Sequence, residues 1–170
     1  MKIFVPTKFV VPERLEADKY IIRKLTVKDC KLDYEAMISS VAVIKQVRGE
    51  TSCHSTWPST EFTFEDNKKD LINMEKEFFE RKAFYFTIMN KDETKCFGSI
   101  YFFPIHLYFP KENKKYDVDF SMWVTQEAYD QDLYQELFSI VINWLKKDWP
   151  WDFSRIKIRN TEVPKIIEIN

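Results

Sequence analysis

Two aspartates, Asp117 and Asp119, stand two residues apart in the alternating stretch YDVDFSMWV (116–124). In a β-strand this spacing puts both carboxylates on one face, about 7 Å apart. A carboxylate in such a position can act as a general base for a substrate ammonium, directly or through water. The simpler interpretation is a solvated strand face whose charges are balanced across the sheet by Arg155, Lys157 and Arg159.

The segment 123–145 has the form of a strand followed at once by a helix, which is a common phosphate-binding arrangement. Such a turn is normally rich in glycine, but here it reads YDQDLY (129–134) with two carboxylates. A carboxylate and a phosphate charge ~6 Å apart repel by about 2–3 kcal/mol at a dielectric of ~20. A helix N-terminus stabilises an anion by only about 0.3–2 kcal/mol. The form Asp132-x-x-Gln135 predicts instead an N-cap whose own carboxylate satisfies the free amides.

The elements around these residues follow from apolar periodicity. Strands are predicted at 20–26, 83–90, 95–105, 116–124 and 153–160. Helices are predicted at 28–47, with a break near Ser39 and Ser40, at 63–82, where Thr63 and Asp66 form a capping box, and after the acidic turn as far as Pro150. The order β-α-α-β-β-β-α-β predicts a mixed α/β sheet, largely antiparallel with one parallel crossover and helices on both faces. Val118, Phe120, Met122 and Val124 are assigned to the core face.

Composition predicts a single domain over residues 1–170, with an extended arm at 1–19 and a short tail at 161–170. Apolar residues make up 45% of the chain and the formal net charge is −1, so no nucleic-acid or membrane partner is indicated. The apolar runs are too short to span a membrane, and the prolines and charges near the start make a poor signal peptide, which together favour a cytoplasmic protein. Three scattered cysteines predict neither a disulfide framework nor a metal site.

The pattern resembles the GCN5-related N-acetyltransferase (GNAT) superfamily over roughly residues 20–160. YIIRKLTVKD is similar to the opening strand of that superfamily, and CFGSIYF, with Gly98, is similar to its third strand. DVDFSMWV and the following helix resemble its coenzyme-binding strand and helix. LDYEAMISS, STWPSTEFTFEDNKKDL and AFYFTIMN are similar to a subgroup whose chemistry is unknown.

The resemblance implies an acyl-CoA N-acyltransferase fold in which two neighbouring strands splay apart. The pantetheine of acetyl-CoA would lie in the gap, its pyrophosphate would lie on the amides that start the helix, and an amine would attack the thioester. The coenzyme-binding positions implied in this sequence are Met122, Trp123, Val124, Tyr129, Asp130, Gln131, Asp132, Leu133, Tyr134 and Asn160. The implied acceptor is a small-molecule or peptide amine.

Two features depart from the family pattern. The usual turn has Arg or Gln, two residues, Gly, one residue, then Gly or Ala, whereas this chain has Tyr129 at the basic position and Asp or Tyr at the small ones. Only ten residues follow Asn160, which leaves little room for the family's next helix, with its tyrosine general acid, and its last strands.

Further candidates lie outside this turn. His54, Trp57 and Glu61 fall in a loop that shapes the acceptor pocket in the superfamily, and His54 has the chemistry of a base, although a lone loop histidine is more often polar surface. The tryptophans at 123, 144, 149 and 151 either line a pocket or, more commonly, anchor the core or an interface.

Two hypotheses of different classes follow. The first is a GNAT-type transferase that moves acetyl from acetyl-CoA to an unknown amine. The second is a non-catalytic member of the fold that has lost pyrophosphate binding. In either case the β-prone tail VPKIIEI (163–169) is able to pair with a second copy, so a homodimer is a further possibility.

Overall fold

A mixed six-stranded sheet forms the centre of the protein, in the order β1-β2-β3-β4-β5-β6. The computed structural model describes residues 3–49 and 57–165. The strands are β1 (Arg14–Glu16), β2 (Tyr20–Lys24), β3 (Phe84–Asn90), β4 (Cys96–Pro104), β5 (Val118–Val124) and β6 (Ile156–Ile158). All neighbours are antiparallel except β5 and β6, which are parallel. The predicted mixed α/β fold is therefore confirmed.

Helices cover both faces of this sheet. They are α1 (Cys30–Ile38), α2 (Val41–Arg48), α3 (Phe64–Phe79), α4 (Ile105–Tyr108), α5 (Gln126–Asp130) and α6 (Leu133–Asp148). The break between α1 and α2 falls at Ser39 and Ser40, as predicted. The predicted capping box also forms, since the Thr63 hydroxyl accepts from the Asp66 amide and the Asp66 carboxylate accepts from the Thr63 amide. No helix of the described residues is long and apolar enough to cross a membrane.

Several predicted boundaries are wrong. The arm contains a short edge strand, β1, because residues 14–16 pair with β2. Strand β5 does not lead directly into the acidic turn, since the separate five-residue α5 comes between them, and the turn then opens into α6 at Leu133. The last strand is shorter than predicted because residues 153–155 form a 3₁₀ turn capped by Asp152.

The two faces of β5 are both buried. Phe120 packs against Phe138 of α6, with ring centroids 5.8 Å apart, which confirms the predicted core face. The opposite face was predicted to be solvated, and this is wrong, because α2 covers it: Asp119, Ser121 and Trp123 are each 0% exposed. The polar residues of this second face are therefore enclosed by the protein.

Gly98 is required where β4 approaches β5. A Cβ placed there would lie 2.0 Å from the backbone oxygen of Trp123, and the φ of Gly98 is +153°. Any side chain would push the two strands apart at the end of β5. One of the chain's two glycines thus sets the backbone position of Trp123 and Val124.

Candidate functional site

The parallel strands β5 and β6 separate at the carboxyl end of β6. The pairs Val118↔Ile156 and Phe120↔Ile158 are in register, and the amide of Arg159 donates to the carbonyl of Phe120 at 2.8 Å. One step further the backbone pairing stops. The amide of Met122 donates to Oδ1 of Asn160 at 3.0 Å, and Nδ2 of Asn160 donates to the carbonyl of Met122 at 2.8 Å. A side-chain carboxamide therefore bridges the distance that a neighbouring strand would otherwise fill.

Residues 160–162, here called the tail segment, continue across the start of α6. The Tyr134 hydroxyl accepts from Nδ2 of Asn160 at 2.8 Å and donates to the carbonyl of Glu162 at 2.7 Å. The Glu162 carboxylate accepts from the Tyr129 hydroxyl at 2.8 Å and from Nε2 of Gln46 at 2.5 Å. The amide of Thr161 donates to the carbonyl of Val47 at 3.1 Å, which fixes the tail segment to the end of α2.

Asp132 occupies the N-cap position of α6, but it does not cap the helix. Its φ of 57° and ψ of 20° are left-handed, and its side chain makes no capping hydrogen bond. A side-chain cap normally needs an extended backbone at this position, so the predicted capping by Asp132 is wrong. The cap in this region belongs to Thr125, whose hydroxyl accepts from the Ala128 amide at 3.2 Å at the start of α5.

The opening where β5 and β6 separate, next to the start of α6, is acidic and is here called the entrance. The turn and the tail segment contribute Asp130, Asp132 and Glu162, and neither contains a basic residue. Asp130 accepts from Nε2 of Gln126 at 2.9 Å. The tail segment lies beside the end of β5 and adds a carboxylate to this opening.

The structure brings together some of the implied coenzyme-binding residues and separates others. Met122, Tyr129, Tyr134 and Asn160 meet around the tail segment. Trp123 lies between them in sequence, but its side chain points to the other face, where Nε1 donates to the Tyr101 hydroxyl at 2.8 Å. Gln131 is exposed and Leu133 is half-buried, at the surface of the turn.

Both candidate general bases pair with arginines. Asp117 accepts from Nε and Nη2 of Arg155 at 2.5 and 3.1 Å in a partly exposed pair. Asp119 accepts from both Nε (3.1 Å) and Nη2 of Arg159, and this pair is buried. Burial raises the pKa of Asp119, against the opposing effect of Arg159. The predicted balance of these aspartates by arginines is present, although Lys157 pairs with Glu112 instead, at 3.1 Å.

A cavity of about 800 Å³ lies on the face toward which Trp123 points. It is bounded by α1, α2, α3 and the polar face of the sheet. Its lining combines aromatic side chains with charged ones, among them Trp57, Tyr85, Tyr101, Asp33, Glu77 and Arg48. Two lining residues contact Trp123: the ring centroid of Trp57 is 6.3 Å from that of Trp123, and the Tyr101 hydroxyl accepts from its Nε1. The cavity therefore lies on one side of the end of β5, and the place where β5 and β6 separate lies on the other.

Asp33 contributes to this cavity a carboxyl group that has hydrogen-bond partners but no cationic partner among the described residues. Oδ2 accepts from Nδ2 of Asn67 at 3.0 Å and Oδ1 accepts from the Ser99 hydroxyl at 3.2 Å. No basic side chain of the described residues forms an ion pair with it. Burial therefore raises the pKa of Asp33 to about 6, against the opposing effect of these two hydrogen bonds. A carboxyl group with such a pKa is suited to accept a proton near neutral pH.

Arg48 lies on another wall of the cavity, at the end of α2. Its guanidinium carbon is 4.7 Å from the ring centroid of Trp57 and 5.3 Å from that of Tyr101. Its Nε is buried and has no hydrogen-bond partner. Burial lowers the pKa of Arg48.

Sequence reasoning missed Asp33 and Arg48. The available signal was the position of Asp33 on the buried stripe that it shares with Ala36 and Met37, where a carboxylate is out of place unless it has partners. Of the loop candidates, Trp57 lines the cavity, Glu61 is exposed, and His54 lies outside the described residues. Trp144, Trp149 and Trp151 stack in the aromatic core around Phe102, as the more common interpretation of such residues predicted.

Comparison of whole structures identifies the architecture. The chain resembles ribosomal-protein-S5-alanine acetyltransferase from Vibrio fischeri (TM-score 0.56, 19% identity, 79% of this chain and 67% of that one). It also resembles a GNAT-family acetyltransferase from Bacillus anthracis (TM-score 0.51, 19% identity, 79% and 66%). A third similar structure is the microcin C7 self-immunity acetyltransferase MccE in complex with acetyl-CoA and AMP (TM-score 0.56, 13% identity, 79% and 67%).

These similarities show that the chain has the GNAT acetyltransferase fold, which confirms the resemblance inferred from the sequence. No family model matches the sequence, and the search of curated proteins found no match.

Proposed function

We propose that the protein is an N-acyltransferase that moves an acetyl group from acetyl-CoA to an amine held in the cavity between α1, α2, α3 and the polar face of the sheet. The acetyltransferase fold supports the reaction class, and a structure of this fold with acetyl-CoA bound supports the donor. The cavity, with its carboxyl groups and aromatic walls, has the composition of an amine-binding pocket.

The observation that carries the proposal is that the backbone amide and carbonyl of Met122 pair with the side-chain carboxamide of Asn160 and not with a neighbouring strand. In an antiparallel β4–β5 pair, alternate residues of β5 direct their backbone groups away from β4. Met122 and Val124 do so at the point where β6 has ended. The carboxamide of Asn160 meets Met122, and an extended donor that contains amide groups would pair in the same way, as an added strand does.

On the acceptor side, Asp33 is the base that we assign. An amine that enters as an ammonium must lose a proton before its nitrogen can attack the thioester carbon. The new C–N bond then forms as the C–S bond breaks, and the departing thiolate takes up a proton. Asp33, with a pKa of about 6, is largely ionised at neutral pH and lines the cavity. Asp117 and Asp119 remain candidates, but their arginine partners hold both of them outside the cavity lining.

On the donor side, the tail segment has to move. Its backbone is attached to Val47 and to the Tyr134 hydroxyl by single hydrogen bonds, and Glu162 is held by Tyr129 and Gln46 at a partly exposed site. The side chain of Asn160 adds three hydrogen bonds to Met122 and Tyr134, and the Thr161 hydroxyl donates to the carbonyl of Gln46. Each such bond contributes about 0.5–1.5 kcal/mol. Displacement by a donor is therefore within the range of ordinary binding energies.

The test is release of free coenzyme A thiol from acetyl-CoA in the presence of primary amines, with the acetylated product identified by mass spectrometry. We expect amine-dependent release by the native protein and loss of at least tenfold in rate for Asp33→Asn. Asp18→Asn, the same change at an exposed aspartate outside the cavity, should retain the native rate. Absence of both thiol release and calorimetric acetyl-CoA binding would overturn the proposal and leave the non-catalytic hypothesis.

A further inference from the structure

We propose that the cavity binds a small zwitterion, an amine that also carries a carboxylate, with the carboxylate at Arg48 and the ammonium at Asp33. The inference rests on the proposed function only in treating this ligand as the acyl acceptor. Binding itself requires no acyl donor and is tested without one.

Arg48 provides the anion-binding end. Its guanidinium stacks on Trp57 and Tyr101, both of which line the cavity, so its plane and its position are fixed by the rings. Its Nε–H is buried with no acceptor. A buried, unpaired donor on a charged group is costly unless a ligand completes it, and a guanidinium matches a carboxylate with two parallel hydrogen bonds.

The charges near Arg48 favour an anion there. Arg159 lies beside β5, and Asp119 is the carboxylate that it pairs with. Both of these groups act electrostatically on Arg48. Two arginine charges therefore act against the single carboxylate of Asp119, which is paired with Arg159 alone. Nη1 of Arg159 and the Ser121 hydroxyl are also buried without hydrogen-bond partners, so this part of the sheet has spare donors and a positive excess.

Asp33 provides the opposite end. Its carboxyl group is anchored by Asn67 of α3 and Ser99 of β4, and it carries no ion pair among the described residues. Glu77 and Asp70 of α3 also line the cavity, whereas the basic lining residues, Lys45 and Arg48, both come from α2. The cavity is therefore polarised, with carboxylates toward α1 and α3 and cations on α2.

The spacing fits one amino-acid-sized ligand. Ser99 and Tyr101 are two residues apart on β4, which is about 7 Å along a strand. Asp33 bonds the first residue and Arg48 stacks on the second. A zwitterion about 3 Å long with a contact of about 2.8 Å at each end spans ~9 Å. The apolar part of the lining, Leu25, Ile44, Leu71 and Met74 with the aromatic rings, would receive an apolar side chain.

The experiment is calorimetric titration of the whole protein, with no acyl donor, against L-phenylalanine, L-leucine and L-methionine. Phenethylamine and 3-phenylpropionate serve as analogues that lack one charge each. We expect at least one amino acid to bind, and L-phenylalanine to bind about tenfold or more tightly than either analogue. Absence of binding by all three amino acids at about 10 mM, or equal binding by an analogue, would overturn the proposal.

Two variants test which residue binds the carboxylate of the ligand and which binds its ammonium group. Arg48→Gln should weaken L-phenylalanine about tenfold or more and leave phenethylamine unchanged, whereas Asp33→Asn should weaken phenethylamine and leave 3-phenylpropionate unchanged. Lys31→Gln, which removes an exposed cation of α1 that does not line the cavity, is the control and should change nothing. Equal weakening of both analogues by Arg48→Gln would show a purely structural role. If that variant does not fold, the analogue comparison on the native protein still decides.

Discussion

The side chain of Asn160 replaces a strand beside Met122. Its carboxamide accepts from the Met122 amide and donates to the Met122 carbonyl, at 3.0 and 2.8 Å, in a site where Asn160 is 5% exposed. The same Nδ2 also donates to the Tyr134 hydroxyl. One side chain therefore joins the end of β5, the start of α6 and the tail segment at the place where the sheet opens.

Replacement of this side chain should destabilise the protein. Asn160→Ala leaves the buried amide and carbonyl of Met122 without a partner and removes the donor to the Tyr134 hydroxyl, and we expect the free energy of unfolding to fall by about 2–4 kcal/mol. Urea denaturation measures the change. Asn113→Ala removes an exposed asparagine and should alter the stability by less than about 0.5 kcal/mol. A loss no larger than that of the control would mean that water replaces the carboxamide at no cost.

Removal of negative charge from the entrance should strengthen donor binding. In the double variant Asp132→Gly/Glu162→Gln, glycine adopts the left-handed conformation of residue 132 without strain, and the carboxylate of the tail segment is neutralised. We expect the affinity for acetyl-CoA to rise about tenfold or more, because a repulsion of about 2–3 kcal/mol is relieved. Calorimetry with acetyl-CoA and with dephospho-CoA measures this. Glu65→Gln, on the exposed surface of α3, is the control, and an unchanged affinity in the double variant would show that the acidic residues do not face the donor.

The two aspartates of the β5 region should differ sharply in their effect on stability. Asp119→Asn leaves the charge of Arg159 buried without its partner, so we expect a loss of about 3–5 kcal/mol in the free energy of unfolding. Asp117→Asn breaks a pair whose side chains are 28% and 36% exposed, and it should cost no more than about 1 kcal/mol. Thermal and urea unfolding of the two variants under one set of conditions gives the comparison. Similar losses would contradict the burial assigned to Asp119.

Asp33 should make the protein less stable as the pH rises from about 4 to 6. Its pKa is about 6 in the folded protein and 3.8 for the ordinary group, so in this window the unfolded chain binds fewer protons than the folded one. The stabilising contribution is complete below pH ~4 and is lost by pH ~6, which amounts to about 3 kcal/mol.

Asp33→Asn should remove this dependence, because asparagine retains hydrogen-bonding groups for Asn67 and Ser99 and cannot ionise. The measurement is the difference in the free energy of unfolding between the native protein and this variant at pH 4, 5, 6 and 7. The exposed Asp152, which caps a 3₁₀ turn and whose pKa is lowered by its bonds to Ser154, is the control: when it is replaced by Asn the difference should be nearly flat over this range, because its own dependence, of opposite sign, lies at about pH 4 and below. A difference that is flat across the range would show that Asp33 has an ordinary pKa.

The predicted homodimer through residues 163–169 falls largely on residues 166–170, which lie outside the described residues, and it stays a prediction. Sedimentation at high protein concentration is its test. A monomer would contradict it.

The sequence by itself determined the features that depend on neighbouring residues. Thr63 and Asp66 are three residues apart, so the capping box needs only one helical turn. The alternation of residues 118–124 determined which side chains face α6. Such patterns are local, and the element order built from them was enough to identify the fold.

Only the tertiary structure decided which charged groups meet. Asp33 contacts Asn67 and Ser99, 34 and 66 residues away, and Arg48 stacks on Tyr101. These contacts depend on how α1, α2 and α3 pack on one sheet face, and no sequence period reports that packing. The same reason explains the two errors at the site. Asp119 is buried because helices cover its face, and Asp132 is left-handed because α5 ends just before it, so neither outcome is set by the residue and its neighbours alone.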